Sequence, residues 1–154
     1  MKAIKIDGEI KIFNALPKVW NDENGTHFNL EDGYNLGFKD VVTPTHDSRI
    51  EELSNLHLSG NVYTYDVIDK VINETLGKLK EQKINSLNEI TRRELSKTDW
   101  YLVRHLETEK IVPEIITNER ANLRTQSNDI EAEINALATK KEVLIFDLPQ
   151  INIL

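Results

Sequence analysis

The stretch "LSKTDWYLVRHLETEKIVPEIITNERANLR" (95–124) sets a Trp beside an acid, then a Pro, then two Arg one helical turn apart. Whether it is a reactive site or a scaffold decides how the chain is read. Ser96 or Thr98 can cap a new helix, and Asp99 then falls in its first turn, where the helix dipole favours negative charge. On a helical wheel Leu102, Val103 and Leu106 form one stripe with Trp100 at its edge, so Trp100 is expected to be a buried anchor. Tyr101 and His105 lie on the opposite side and are candidate interface residues. Pro113 suits the first position of the next helix, where a missing N–H leaves no hydrogen bond unmade. Ile115, Ile116 and Leu123 make that helix's expected buried stripe, flanked by Arg120 and Arg124. Like charges at that spacing repel, so Asp99 and Glu107 are the expected carboxylate partners across an antiparallel helical hairpin. In this reading Asp99, Trp100, Glu107, Pro113, Arg120 and Arg124 are structural anchors. A competing reading makes the Arg pair a site for an external anion.

Downstream, Ile130, Ile134 and Leu137 predict a last helix over 129–138. "TKKE" (139–142) has the form of a capping box, although "VLIFDL" (143–148) also reads as a strand. One helical turn followed by an extended tail is preferred, and the ending "LPQINIL" is apolar enough to dock.

Upstream, apolar residues at 68, 72, 76, 79, 84, 87, 90 and 95 follow helical spacing, predicting a helix over 67–95. Leu76, Leu79 and Ile84 recur eleven residues later as Leu87, Ile90 and Leu95. The stripe can pack on its own domain or on a second copy. A helix of that length outruns the cover available from the rest of the chain, which makes Leu76, Leu79, Ile84, Leu87 and Ile90 interface candidates.

The first 66 residues read as short strands and tight turns. "IKIDGEIKI" (4–12) is a hairpin signal around Asp7-Gly8. A three-residue loop pairing Ile6 with Ile10 and Ile4 with Ile12 keeps the apolar residues on one face and is preferred to a two-residue loop. "NLHLSGNVYTYDV" (55–67) predicts a turn of the type with Gly first at Gly60-Asn61, Leu58 opposite Tyr63 and Leu56 opposite Tyr65. Between them lie a candidate Asn24-Gly25 turn and a strand opened by Gly37 and ended by Pro44. The expected fold is α+β: a β-rich unit (1–66), a long connecting helix (67–96), a helical module (97–142) and an extended apolar tail (143–154).

Composition narrows the function. The 154 residues carry a net charge of −7, and residues 1–66 hold 6 Lys and Arg against 11 Asp and Glu. No basic stripe is available for nucleic-acid phosphates, so no nucleic-acid partner is expected. No segment approaches the roughly 20 apolar residues that span a bilayer, so no membrane partner is expected. No secretory signal is read at the start, the expected site of synthesis is the cytoplasm, and the sequons at Asn24 and Asn73 are read as coincidence. Without cysteine the chain has no thiolate chemistry. His27, His46, His57 and His105 are scattered without ligand spacing, and "DENGT" (22–26) places its Gly too early for a calcium loop. No catalytic residue, metal or cofactor is expected, and the chain is read as non-enzymatic.

The segment Leu95–Leu123 resembles a helical module of small structural and assembly proteins of tailed bacteriophages, with the pattern "L…TDW…R..E…P..I…R..LR". Thr98, Asp99, Trp100, Arg104, Glu107, Pro113, Ile116, Arg120, Leu123 and Arg124 match it. So do Ile130 to Ile134 with Ala136, and Thr139 with Glu142. "GFKDVVTPTHDSRIEEL" (37–53) and "YTYDV" (63–67) also look like short phage proteins carrying this tail. The Asn-, Ile- and Lys-rich usage suits a phage of an AT-rich host, such as the crAss-like phages. The resemblance implies a virion component (fibre, tail or head accessory) made in the bacterial cytoplasm, binding other phage structural proteins and itself as a dimer or larger oligomer. The alternative it allows is a tail-fibre or tail assembly chaperone, absent from the finished particle. The apolar tail favours the protein that docks permanently.

Overall fold

The computed structural model describes residues 1–21, 27–29 and 36–153, with the backbone alone for 27–29. The Asn24-Gly25 turn, "DENGT" and the His27 side chain lie outside the described residues. The chain divides into two units, 1–70 and 71–154, and its class is α+β.

The first unit grows from β1 (Lys2–Ile6) and β2 (Glu9–Phe13), joined at Asp7-Gly8. The register pairs Ile6 with Glu9, Lys5 with Ile10 and Ala3 with Ile12, so the loop has two residues and the three-residue expectation is wrong. Asp7 and Gly8 both have positive φ, 50° and 87°, as a type I′ turn requires, and that turn's twist matches the strands it joins. Gathering every Ile on one face was the wrong criterion, because both faces of this sheet are covered. Ala3 and Ile10 join Val41, Tyr63, Leu56 and Tyr65 in one cluster. Phe13 meets Trp20 and Phe38 edge-on in another, with ring centroids 5.3–5.6 Å apart.

β3 (Val19–Asn21) and β4 (His27–Asn29) form a separate two-stranded ribbon. The main sheet is completed by β5 (Lys39–Val42), β6 (Glu51–Ser59) and β7 (Val62–Asp69), in the order β2-β1-β5-β7-β6. β5 runs parallel to β7, so the chain must cross β7 to reach the edge strand β6. A corner at Asp47 makes the turn: its carboxylate accepts from the Arg49 N–H at 3.0 Å, and its own N–H donates to Glu51 Oε2 at 2.8 Å. Gly60 has positive φ and Leu58 faces Tyr63, as the Gly-first turn predicts. The expected pairing of Leu56 with Tyr65 is displaced by a bulge. Ser54 pairs with Asp66 and His57 with Thr64, leaving one extra residue in β6, and Asn55 takes a φ of 40° there.

The helix expected over 67–95 begins nine residues later. β7 stays paired with β6 through Asp69, and α1 spans Leu76–Ser96, with the Thr75 hydroxyl capping it by accepting from the Lys78 N–H. The helical spacing at Ile68 is accidental, because ladder hydrogen bonds and β-branched residues favour a strand there. At 21 residues α1 is roughly 31 Å long.

Its stripe is covered inside the second unit. The segments expected as two helices, from Pro113 and over 129–138, form one continuous helix, α3 (Glu114–Ala136), which follows α2 (Asp99–Thr108). α3 runs antiparallel to α1: Lys80 reaches the carbonyl of Asn135 at 2.7 Å, while Thr91 bonds Ser127 at 3.0 Å further along. Leu87, Leu123, Ile130 and Ile134 fill the interface, with Ile84, Ile90 and Leu95 packed against them. α4 (Lys140–Ile145) starts with the expected capping box of Thr139 and Glu142, and buries Val143. The tail then runs extended and places Ile151 and Ile153 in the same cluster, so "LPQINIL" docks on its own chain. The surplus expected of the long helix is thereby removed: Leu79 and Leu87 are buried, and Leu76, Ile84 and Ile90 are half-buried.

Leu87→Ala and Ile134→Ala should each cost about 2–5 kcal/mol in urea unfolding, because both side chains are fully buried. Leu106→Ala, on a side chain 83% exposed, should stay within about 0.5 kcal/mol. Equal losses at all three positions would contradict this core.

Candidate interaction site

At the turn between α1 and α3 the chain makes an excursion, α2, and one side chain ties it down. Arg120 is 6% exposed and sits in the second turn of α3. Its Nη1 donates to the Leu95 carbonyl at 2.7 Å and to Thr98 Oγ1 at 2.6 Å, while Nη2 pairs with Asp99 Oδ1 at 2.9 Å. Leu95 offers one of the last-turn carbonyls of α1, which lack helical partners. The rigid fork thus ties the end of α1 to the start of α2. Thr98 is the N-cap of α2 but makes no cap hydrogen bond; its hydroxyl donates back to Leu95 at 3.1 Å and accepts from Arg120.

The pairing expected for the two Arg is therefore half right. Arg120 meets Asp99, whereas Arg124 is exposed and, among the described residues, makes a 3.4 Å contact from Nη1 to the Arg120 carbonyl. Glu107 is exposed and forms no ion pair among the described residues. The reason is topological: α3 pairs with α1, so only the first turn of α2 comes within reach of it. Pro113 sits one position before its expected place, as N-cap of α3, at a φ of −54°.

Trp100 is not a buried anchor. It is 51% exposed, with its ring centroid 3.8 Å from that of half-buried Tyr101 and Arg104 over its face at 5.8 Å. No residue of α2 is buried. Leu102, Val103 and Leu106, the expected core stripe, are exposed, as are Ile111 in the following loop and Ile115 on α3. Two contacts set the path after α2. His105 Nδ1 lies 2.8 Å from the Lys110 carbonyl, and Glu109 closes the helix in the left-handed region at φ 59°. The apolar face of α2 is thus presented from a fixed backbone.

A second polar group was missed in the sequence. Glu94 is buried at the end of α1, bonded by Lys97 Nζ at 2.5 Å, and its Oε2 accepts the Ile153 N–H at 3.3 Å. The Lys97 hydrogen bond holds the Glu94 carboxyl below its ordinary value of 4.5 against the opposing effect of burial, helped by the Ile153 N–H. The signal was available: Glu94 lies seven residues after Leu87, on the buried stripe itself, where an acid requires a partner.

Among the described residues no group of three or more His, Asp or Glu side chains could hold a metal ion. No helix among the described residues is long and apolar enough to cross a membrane. His46 and His57 each lie against a backbone carbonyl two residues away. No family model, curated protein or solved structure matches the chain.

Arg120→Lys should destabilise the second unit by roughly 1–3 kcal/mol, since one ammonium cannot span the three acceptors, while Arg124→Lys should stay within about 0.5 kcal/mol. Equal effects in thermal unfolding would refute the clamp. Acid should loosen the tail. A carboxyl whose folded value lies below 4.5 contributes fully above that pH, and the contribution disappears as pH falls through the lower folded value. Hydrogen exchange at Ile151 and Ile153 should thus stay protected above pH 4.5 and lose protection below it, with a flatter profile in Glu94→Gln.

Proposed function

We propose that this protein is a non-enzymatic structural component of a tailed-bacteriophage virion, a fibre, tail or head accessory subunit that binds itself and neighbouring virion proteins. The observation that carries the reading is the α2 face: apolar side chains held outward by a buried arginine, with no cover from their own unit. Exposed apolar surface on a fixed backbone suits protein–protein docking, since little ordering entropy is lost on binding. The resemblance of Leu95–Leu123 to a helical module of phage structural and assembly proteins directs the reading to virions. The tail does not bear on permanence, because its Ile151 and Ile153 are used within the chain's own core. A tail or tail-fibre assembly chaperone presenting the same face is the alternative.

The two differ in the finished particle. Mass spectrometry of particles purified from the phage that carries this gene should detect the protein at a ratio comparable to other minor structural subunits. Its absence from particles, together with co-purification with an unassembled tail protein from infected cells, would establish the chaperone instead.

A further inference from the structure

The face of α2 has a charge pattern that points to its occupant. Trp100, Val103 and Leu106 recur every three residues along it, and Ile111 follows in the loop. These side chains are 51%, 51%, 83% and 89% exposed. The flank beside Trp100 holds Arg104 and Glu107, of opposite sign and three residues apart. Arg104 rests on the Trp100 ring, and neither it nor Glu107 forms an ion pair among the described residues.

We propose that α2 is a homodimerisation helix, its face covered by the α2 of a second copy running antiparallel about a two-fold axis between residues 105 and 106. This rests on the reading of the protein as a self-associating component and names the surface that would do it. The axis places Arg104 of each copy opposite Glu107 of the other, so the same ion pair forms twice. A flank of one sign would call for a partner of the other sign. Opposite charges one turn apart complement themselves under a two-fold. The Arg120 clamp fixes α2 in both copies before they meet.

Sedimentation equilibrium of the full chain should show a monomer–dimer equilibrium below about 100 µM. Arg104→Glu and Glu107→Arg should each weaken dimerisation at least about tenfold, because each juxtaposes like charges twice; Leu106→Glu should abolish it. The double variant Arg104→Glu, Glu107→Arg exchanges the signs, keeps the self-complementarity, and should return to within about threefold of the parent. All three positions are exposed, and circular dichroism monitors folding of every variant. A monomer at about 100 µM, a dimer indifferent to Arg104→Glu and Leu106→Glu, or a double variant that fails to recover would each overturn the proposal. A monomer found in purified particles would sink the dimer and leave the virion reading standing. A rescued dimer absent from particles would do the reverse.

Discussion

The second unit depends on the guanidinium of Arg120. Helix ends leave carbonyl and N–H groups without partners, and a sharp excursion between two antiparallel helices brings two such ends together. Arg120 holds the two ends together from a third element, donating to the Leu95 carbonyl and the Thr98 hydroxyl and pairing with the Asp99 carboxylate. An arginine buried in this way is a demanding choice, because its charge cannot be neutralised by losing a proton. The buried fork tolerates only the one geometry in which all three acceptors converge. That requirement fixes where α1 stops and where α2 starts.

Around that point the polar groups divide the labour with the apolar core. Leu87, Leu123 and Ile134 supply non-directional burial between α1 and α3, which favours contact without setting a register. The directional contacts do so: Thr91 with Ser127, Lys80 with the Asn135 carbonyl, and Glu94 with the Ile153 N–H. Lys83 also caps the end of α4 through the Phe146 carbonyl at 2.9 Å. The tail thereby becomes part of the core, and α2 is left as the element whose apolar side chains find no cover within the unit.

Several local features were legible because short-range chemistry settles them. The Gly60 turn with Leu58 opposite Tyr63, the Gly37 entry into β5 and the Thr139–Glu142 capping box all follow from spacing. Misreadings arose where two local patterns competed. Ile68 and Ile72 continue the α1 period, yet 67–69 are held as strand by pairing with β6, which the helical period cannot reveal. The Asp7-Gly8 loop was assigned on the assumption of one apolar face, and the aromatic cluster of Phe13, Trp20 and Phe38 shows that there are two. Trp100 was expected inside because it borders the stripe of Leu102, Val103 and Leu106, yet no residue of that helix is buried.

By itself the sequence determined the α+β class, the order of hairpins before helices, the Gly60 turn and the Thr139–Glu142 capping box. These depend on residues within a turn or two of each other, where the backbone period and side-chain reach are the same in any fold. Only the tertiary structure decided which apolar stripe is core and which is surface. The stripes of α1 and α2 have the same period and similar residues, and what separates them is whether α3, α4 and the tail lie on top. Burial is a property of a face and its neighbour together, and the neighbour is chosen by long-range packing that no local spacing records.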